Sequence, residues 1–180
     1  ILFNYYGPVL AGQMGMTWVA IKTVNSISSA WVNPRGPLFG QMIAKKNYFA
    51  LDSSFKNLLG ITVVISLLAS ILLALFIFAL NYINHPLSYR LLPFKVSCLF
   101  LLGAFIHSIS SPFSLYLRAH KKEPLYYLSI LFAILIGITS ILFGKEYGAE
   151  GIGYSYFLVN VIVFPLTVLI WFKKKKEWHV

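Results

Sequence analysis

A polytopic bundle of transmembrane α-helices with about five spans is the fold class this sequence predicts, and three observations predict it. The 180 residues are 58% hydrophobic and 11% charged, with a mean hydropathy of +0.76, whereas a soluble domain carries about 25% charged residues. Apolar runs recur at the length of about 20 residues that crosses a hydrocarbon core. Lysine and arginine gather at the ends of those runs rather than over a soluble face. The net charge of +10 therefore reads as membrane orientation and excludes nucleic acid as the expected partner.

The elements follow in chain order. Residues 1–11, ILFNYYGPVLA, read as the end of one element and a turn at Gly7-Pro8. The chain opens on Ile1 without a signal-type apolar segment, so it is expected to be the C-terminal piece of something longer. A first span is predicted over residues 12–32, stopped or kinked at Asn33-Pro34. The basic, amphipathic stretch at 34–57 belongs at a membrane interface. Residues 58–80 hold no charge in 23 positions and form the clearest span. After a polar turn with Pro86, further spans are predicted at 93–115, 125–143 and 152–172. YLRAHKKEP and GKEYGAEG separate them, and the tail 173–180 closes the chain. Cys98 lies inside an apolar run, so no disulfide framework exists.

Charge bias sets the expected orientation. Arg35, Lys45, Lys46, Lys56, Arg118, Lys121, Lys122 and the four lysines of the tail fall on one side. Arg90 and Lys145 fall on the other, with Lys95 close enough to a span end to snorkel. The richer side belongs in the cytoplasm, and the C-terminus with it.

Two polar stripes interrupt the apolar background. In the first span Lys22, Asn25, Ser26, Ser29 and Asn33 recur at helical spacing on one face. A charge at mid-bilayer costs about 2.5–3.5 kcal/mol on insertion scales, so this face is expected to look into a water-filled cavity or onto protein. The alternative is helix–helix packing, in which serines and asparagines bridge neighbours. In the third span His107, Ser111, Ser114 and Arg118 share a face leading to the same end. Together the stripes predict a cleft with Lys22 at depth and Arg35 and Arg118 toward its mouth. Asp52, Glu123, Glu146, Glu150 and Glu177 all lie outside the spans. A basic cleft without carboxylates suits an anion such as a phosphate or diphosphate, which the planar fork of Arg35 would grip. Pro112 and Pro165 sit inside spans and are candidate bending points.

Other chemistries find no support. No metal-ligand spacing, paired magnesium-binding aspartates, glycine-rich phosphate loop or acid–base pair is present. Neither a catalytic residue nor a cofactor is expected.

The stretch GPVLAGQMGMTWVAIKTVNSISSAWVNPRGPLFGQMIAKKNYFALDSSF, with YLRAHKKEP before a later span, resembles bacterial polysaccharide biosynthesis membrane proteins. These are flippases and exporters of the O-antigen and capsule type, in the multidrug/oligosaccharidyl-lipid/polysaccharide exporter superfamily. The resemblance covers most of the chain. It implies an inner-membrane (plasma-membrane) transporter that moves an undecaprenyl-diphosphate-linked oligosaccharide to the outer leaflet by alternating access. Membrane lipids and other polysaccharide-assembly membrane proteins would be its neighbours. The five spans would be the last five of roughly twelve, so the first half of such a carrier is missing. The roles given to Lys22, Asn25 and Arg35 rest on the stripe and not on a family site. A multidrug exporter of the related branch would favour buried carboxylates, which the spans lack. A non-transporting membrane scaffold would use the stripes as packing glue.

Overall fold

The computed structural model describes residues 1–179, and every regular element within them is helical. Six α-helices follow one another: α1 (Leu2–Tyr6), α2 (Pro8–Val32), α3 (Gly36–Ala44), α4 (Tyr48–Tyr82), α5 (Phe94–Ala119) and α6 (Tyr126–Trp178). Among the described residues α4, α5 and α6 are long and apolar enough to cross a membrane. The 25 residues of α2 give it a length of about 37 Å. It is not one of those three, because Lys22, Asn25 and five serines or threonines interrupt it. Helix is the expected answer for such a chain, since backbone groups in hydrocarbon must be satisfied within their own segment.

Local chemistry marks the boundaries. Pro8 opens α2, where its missing N–H would have had no partner. Pro34 lies in a 3-10 turn (Asn33–Arg35) that carries α2 straight into α3. Asn47 caps α4 by accepting the Ala50 N–H at 3.1 Å. The linker before α5 is tied down by Thr17 of α2, whose hydroxyl accepts the Leu92 N–H at 2.9 Å in a buried position.

The eight-residue polar linker expected between the last two spans is absent as a loop. Helical structure runs through it, and only Gly148 leaves the helical region, with φ 59 and ψ −135. There α6 folds back on itself. Ile152 lies against Gly144 beside the break, while Leu125 and Trp171 share a core at the far end. The arms, 126–147 and 149–178, therefore run antiparallel. One glycine replaces a loop because no L side chain occupies that φ/ψ combination comfortably, and because glycines on either side let the arms touch.

Helices α2, α4, α5 and the two arms of α6 thus alternate in direction. At one end Ile21, Val24, Leu92, Phe100 and Tyr156 form a core with Trp18 packed on it. At the other Val32, Phe39, Leu51, Phe55, Phe113, Tyr116 and Trp171 form a second core. Its rings are close: Phe55 stacks on Trp171 at 4.9 Å and meets Tyr116 edge-on at 5.1 Å. Between the cores lies a belt of small polar residues, including buried Ser28, Thr62, Ser66 and Ser108. Thr62 and Ser66 turn their hydroxyls onto carbonyls of their own helix, at 2.8 and 2.7 Å.

The hairpin break gives a stability test. Alanine at Gly148 would be strained by its positive φ and would crowd the Tyr6 ring, and alanine at Gly151 would collide with the Phe143 carbonyl. Each is expected to destabilise the protein by about 1–3 kcal/mol, read as a lower thermal unfolding midpoint in detergent. Gly137→Ala, with nothing within 4 Å of the added carbon, is expected to leave the midpoint unchanged.

Candidate functional site

The α2 stripe divides on folding. Lys22 stands two residues past the middle of α2, on the outer face of the chain, its ammonium 5.8 Å from the Trp18 ring centroid. No carboxylate among the described residues pairs with it. Ser26 is also exposed and donates to the Lys22 carbonyl at 3.0 Å. Asn25 turns inward and accepts the Ser108 hydroxyl of α5 at 2.8 Å, an interhelical bond. Ser29 is half-buried, and Asn33 and Arg35 are exposed on the 3-10 turn below. Arg35 borders a shallow groove with Ala30, Trp31, Pro34 and Leu38.

The second stripe faces elsewhere. His107, Ser110 and Ser114 of α5 line a cleft of about 140 Å³ closed by both arms of α6. Ser129 and Phe132 come from the first arm, and Asn160, Phe164 and Thr167 from the second. The His107 ring lies over Phe132, with centroids 6.2 Å apart. Ser111 is half-buried outside this lining. Arg118 is exposed and forms a 3.4 Å ion pair with Glu123, an arrangement worth little at a surface.

The two stripes therefore do not join into one cleft. Ser108 faces α2 and His107 faces the α6 hairpin, so α5 stands between them. Sequence spacing passed over Ser110, Ser129, Asn160 and Thr167. A detectable signal existed in the last two, which recur seven residues apart in an otherwise apolar run. Among the described residues no group of three or more His, Cys, Asp or Glu side chains is placed to hold a metal ion.

No family model matches this chain, and neither a curated protein nor a solved structure matches it.

A third cluster was also missed from sequence, because its members are far apart in the chain. At the end holding α3 and the C-terminal tail, the buried Tyr116 donates to Asp52 Oδ1 at 2.8 Å. Lys175 of the tail reaches Asp52 Oδ2 at 2.5 Å. His179 stacks on Tyr48 with centroids 4.1 Å apart and places its Nε2 3.2 Å from the Tyr116 hydroxyl. Since that hydroxyl proton goes to Asp52, His179 Nε2–H is the donor. His120 Nδ1–H donates to the Tyr116 carbonyl at 3.0 Å, which leaves its Nε2 as an acceptor 3.4 Å from His179 Nε2. The surroundings disfavour the charged form of both imidazoles. Burial holds each below the ordinary histidine value of 6.5, aided by Lys122 at His120 and opposed by Asp52 at His179.

A proton on His120 Nε2 would set two N–H groups face to face. Because both values are depressed in the folded state, the stability they contribute is full above pH 6.5 and is lost as pH falls through the lowered values. The tail is thus expected to resist trypsin at the Lys173–Lys176 run at pH 7.5 and to become cleavable near pH 5.5. His179→Ala should make it cleavable at both.

Proposed function

We propose that this chain is the membrane-embedded segment of a carrier that moves an anionic, diphosphate-linked lipid glycan from the cytoplasmic to the outer leaflet of the bacterial plasma membrane. In this reading α2, α4, α5 and the two arms of α6 are five crossings. The end rich in lysine, with α3 and the tail, lies in the cytoplasm. The observation that carries the reading is Lys22. It stands near the middle of α2, exposed on the chain's outer face, and no carboxylate among the described residues pairs with it.

An ammonium at that depth requires water, an anion or an aromatic face, and Trp18 supplies only a cation–π contact, worth about 0.5–2 kcal/mol. Ser26, Ser29, Asn33 and Arg35 continue the same side of α2 toward the cytoplasmic end, a path of hydroxyl, amide and guanidinium groups suited to a phosphate. The resemblance of residues 7–55 to glycan flippases supplies the cargo class.

One observation favours a second reading, a membrane scaffold. Asn25 spends its side-chain oxygen on Ser108, which is packing and not cargo binding.

Lys22 variants in the full-length protein separate the two. For a carrier, Lys22→Ala and Lys22→Glu are expected to lower surface glycan roughly tenfold or more, the effect of about 1.4 kcal/mol at one contact, with Lys22→Arg retaining export. Protein level in the membrane is measured alongside. Normal glycan export by both Ala and Glu variants at normal protein level leaves the scaffold.

A further inference from the structure

The cleft between α5 and the α6 hairpin has a chemical bias. His107, itself exposed, sits at the midpoint of α5, and Asn160 and Thr167, each 4% exposed, line the same cleft from the second arm of α6. Every hydroxyl lining the cleft has already committed its one proton to its own helix. Ser110 donates to the Ile106 carbonyl at 3.2 Å, Ser114 to Ser110 at 3.3 Å, Ser129 to Leu125 at 3.0 Å and Thr167 to Val163 at 3.0 Å. The Asn160 amide nitrogen donates to the Tyr156 carbonyl at 2.8 Å, and a carbonyl can accept only from the NH₂ group, so Asn160 Oδ1 remains free to accept. Asn160 lines the same cleft as the His107 ring.

The wall therefore offers oxygen lone pairs and almost no donors. Such a lining favours positive charge. No Lys, Arg, Asp or Glu from α5 or from either arm lines the cleft, so the imidazole is its only titratable group. Acceptors around an imidazolium are the means by which a protein stabilises it away from bulk water. Neutral oxygens without a carboxylate hold a bare sodium ion weakly, whereas a proton needs only one basic lone pair, which imidazole supplies near neutral pH.

We propose that this cleft is a proton-binding site in which His107 takes up the proton and the oxygens of Asn160, Ser110, Ser114, Ser129 and Thr167 hold the resulting imidazolium. The proton adds to the free ring nitrogen from water and returns to water, and no bond other than N–H forms or breaks. The site lies on the side of α5 away from Lys22, so it does not rest on the identity of any cargo. Loading it places a charge between α5 and the hairpin arms, and unloading removes it.

The test is a nitrogen NMR titration of the full-length protein, labelled with ¹⁵N-histidine, in phospholipid nanodiscs between pH 5 and 9. His107→Gln identifies the ring signals by their loss. His107 is expected to titrate, and Asn160→Leu and Ser114→Ala are each expected to weaken its proton binding about tenfold, one pKa unit. Unchanged signals from His85, His120 and His179 report an intact fold. Should a variant disturb those signals, Thr167→Val, which keeps the side-chain shape, takes its place with the same expectation. Three results overturn the proposal. They are a His107 neutral throughout the range, proton affinity unchanged by loss of the oxygens, or a midpoint that moves when sodium chloride replaces choline chloride, which would make the cleft a sodium site.

Discussion

Helix α5 is the surface on which the long helices agree. Half of its most apolar stretch is buried inside the protein, against 17% for α4 and 11% for α6. Lipid tails are as apolar as leucine, so hydrophobicity gives neighbours little reason to choose α5 over the bilayer. Close approach and polar pairing must decide. Gly103 lets the Tyr156 ring lie where a side chain would stand, and Ser108 donates to Asn25. Below them Phe113 and Tyr116 meet Phe55 and Trp171 edge-on. Shape and hydrogen bonding hold this bundle.

That constraint explains what was legible in the sequence. Long apolar runs require helices, and the all-helical architecture follows from the 58–80 run and its neighbours without knowledge of packing. The reversal at Gly148 was legible only as a polar linker, since spacing cannot show that a single glycine turns the chain while Gly144 and Gly151 let the arms touch. Helical periodicity correctly relates residues within one helix, but it cannot say which neighbour each face meets. His107 and Ser114 do share a face. The neighbour they face is α6, and Ser108, only one residue from His107, turns to α2 instead. The tail cluster was not legible at all, because Asp52, Tyr116 and His179 lie 64 and 63 residues apart and show no local pattern.

Polarity is distributed by depth. Both ends of the bundle are bound by aromatic and aliphatic cores, and the end holding Tyr116 adds an ion pair, two imidazoles and a stack. The middle is made of serines, threonines and asparagines whose hydroxyls mostly bond back to their own helices. Such bonds satisfy the hydroxyls within their own helix and contribute little between helices.

Against that background the two ionisable groups at mid-depth differ in a physically consequential way. Lys22 has no acceptor beyond an indole face and stands on a surface that α4, α5 and α6 leave uncovered. His107 is exposed too, but on the edge of a cleft whose acceptors come from α5 and both arms of α6. Helix α5 stands between them, held by the Asn25–Ser108 bond on one side and the Gly103–Tyr156 contact on the other.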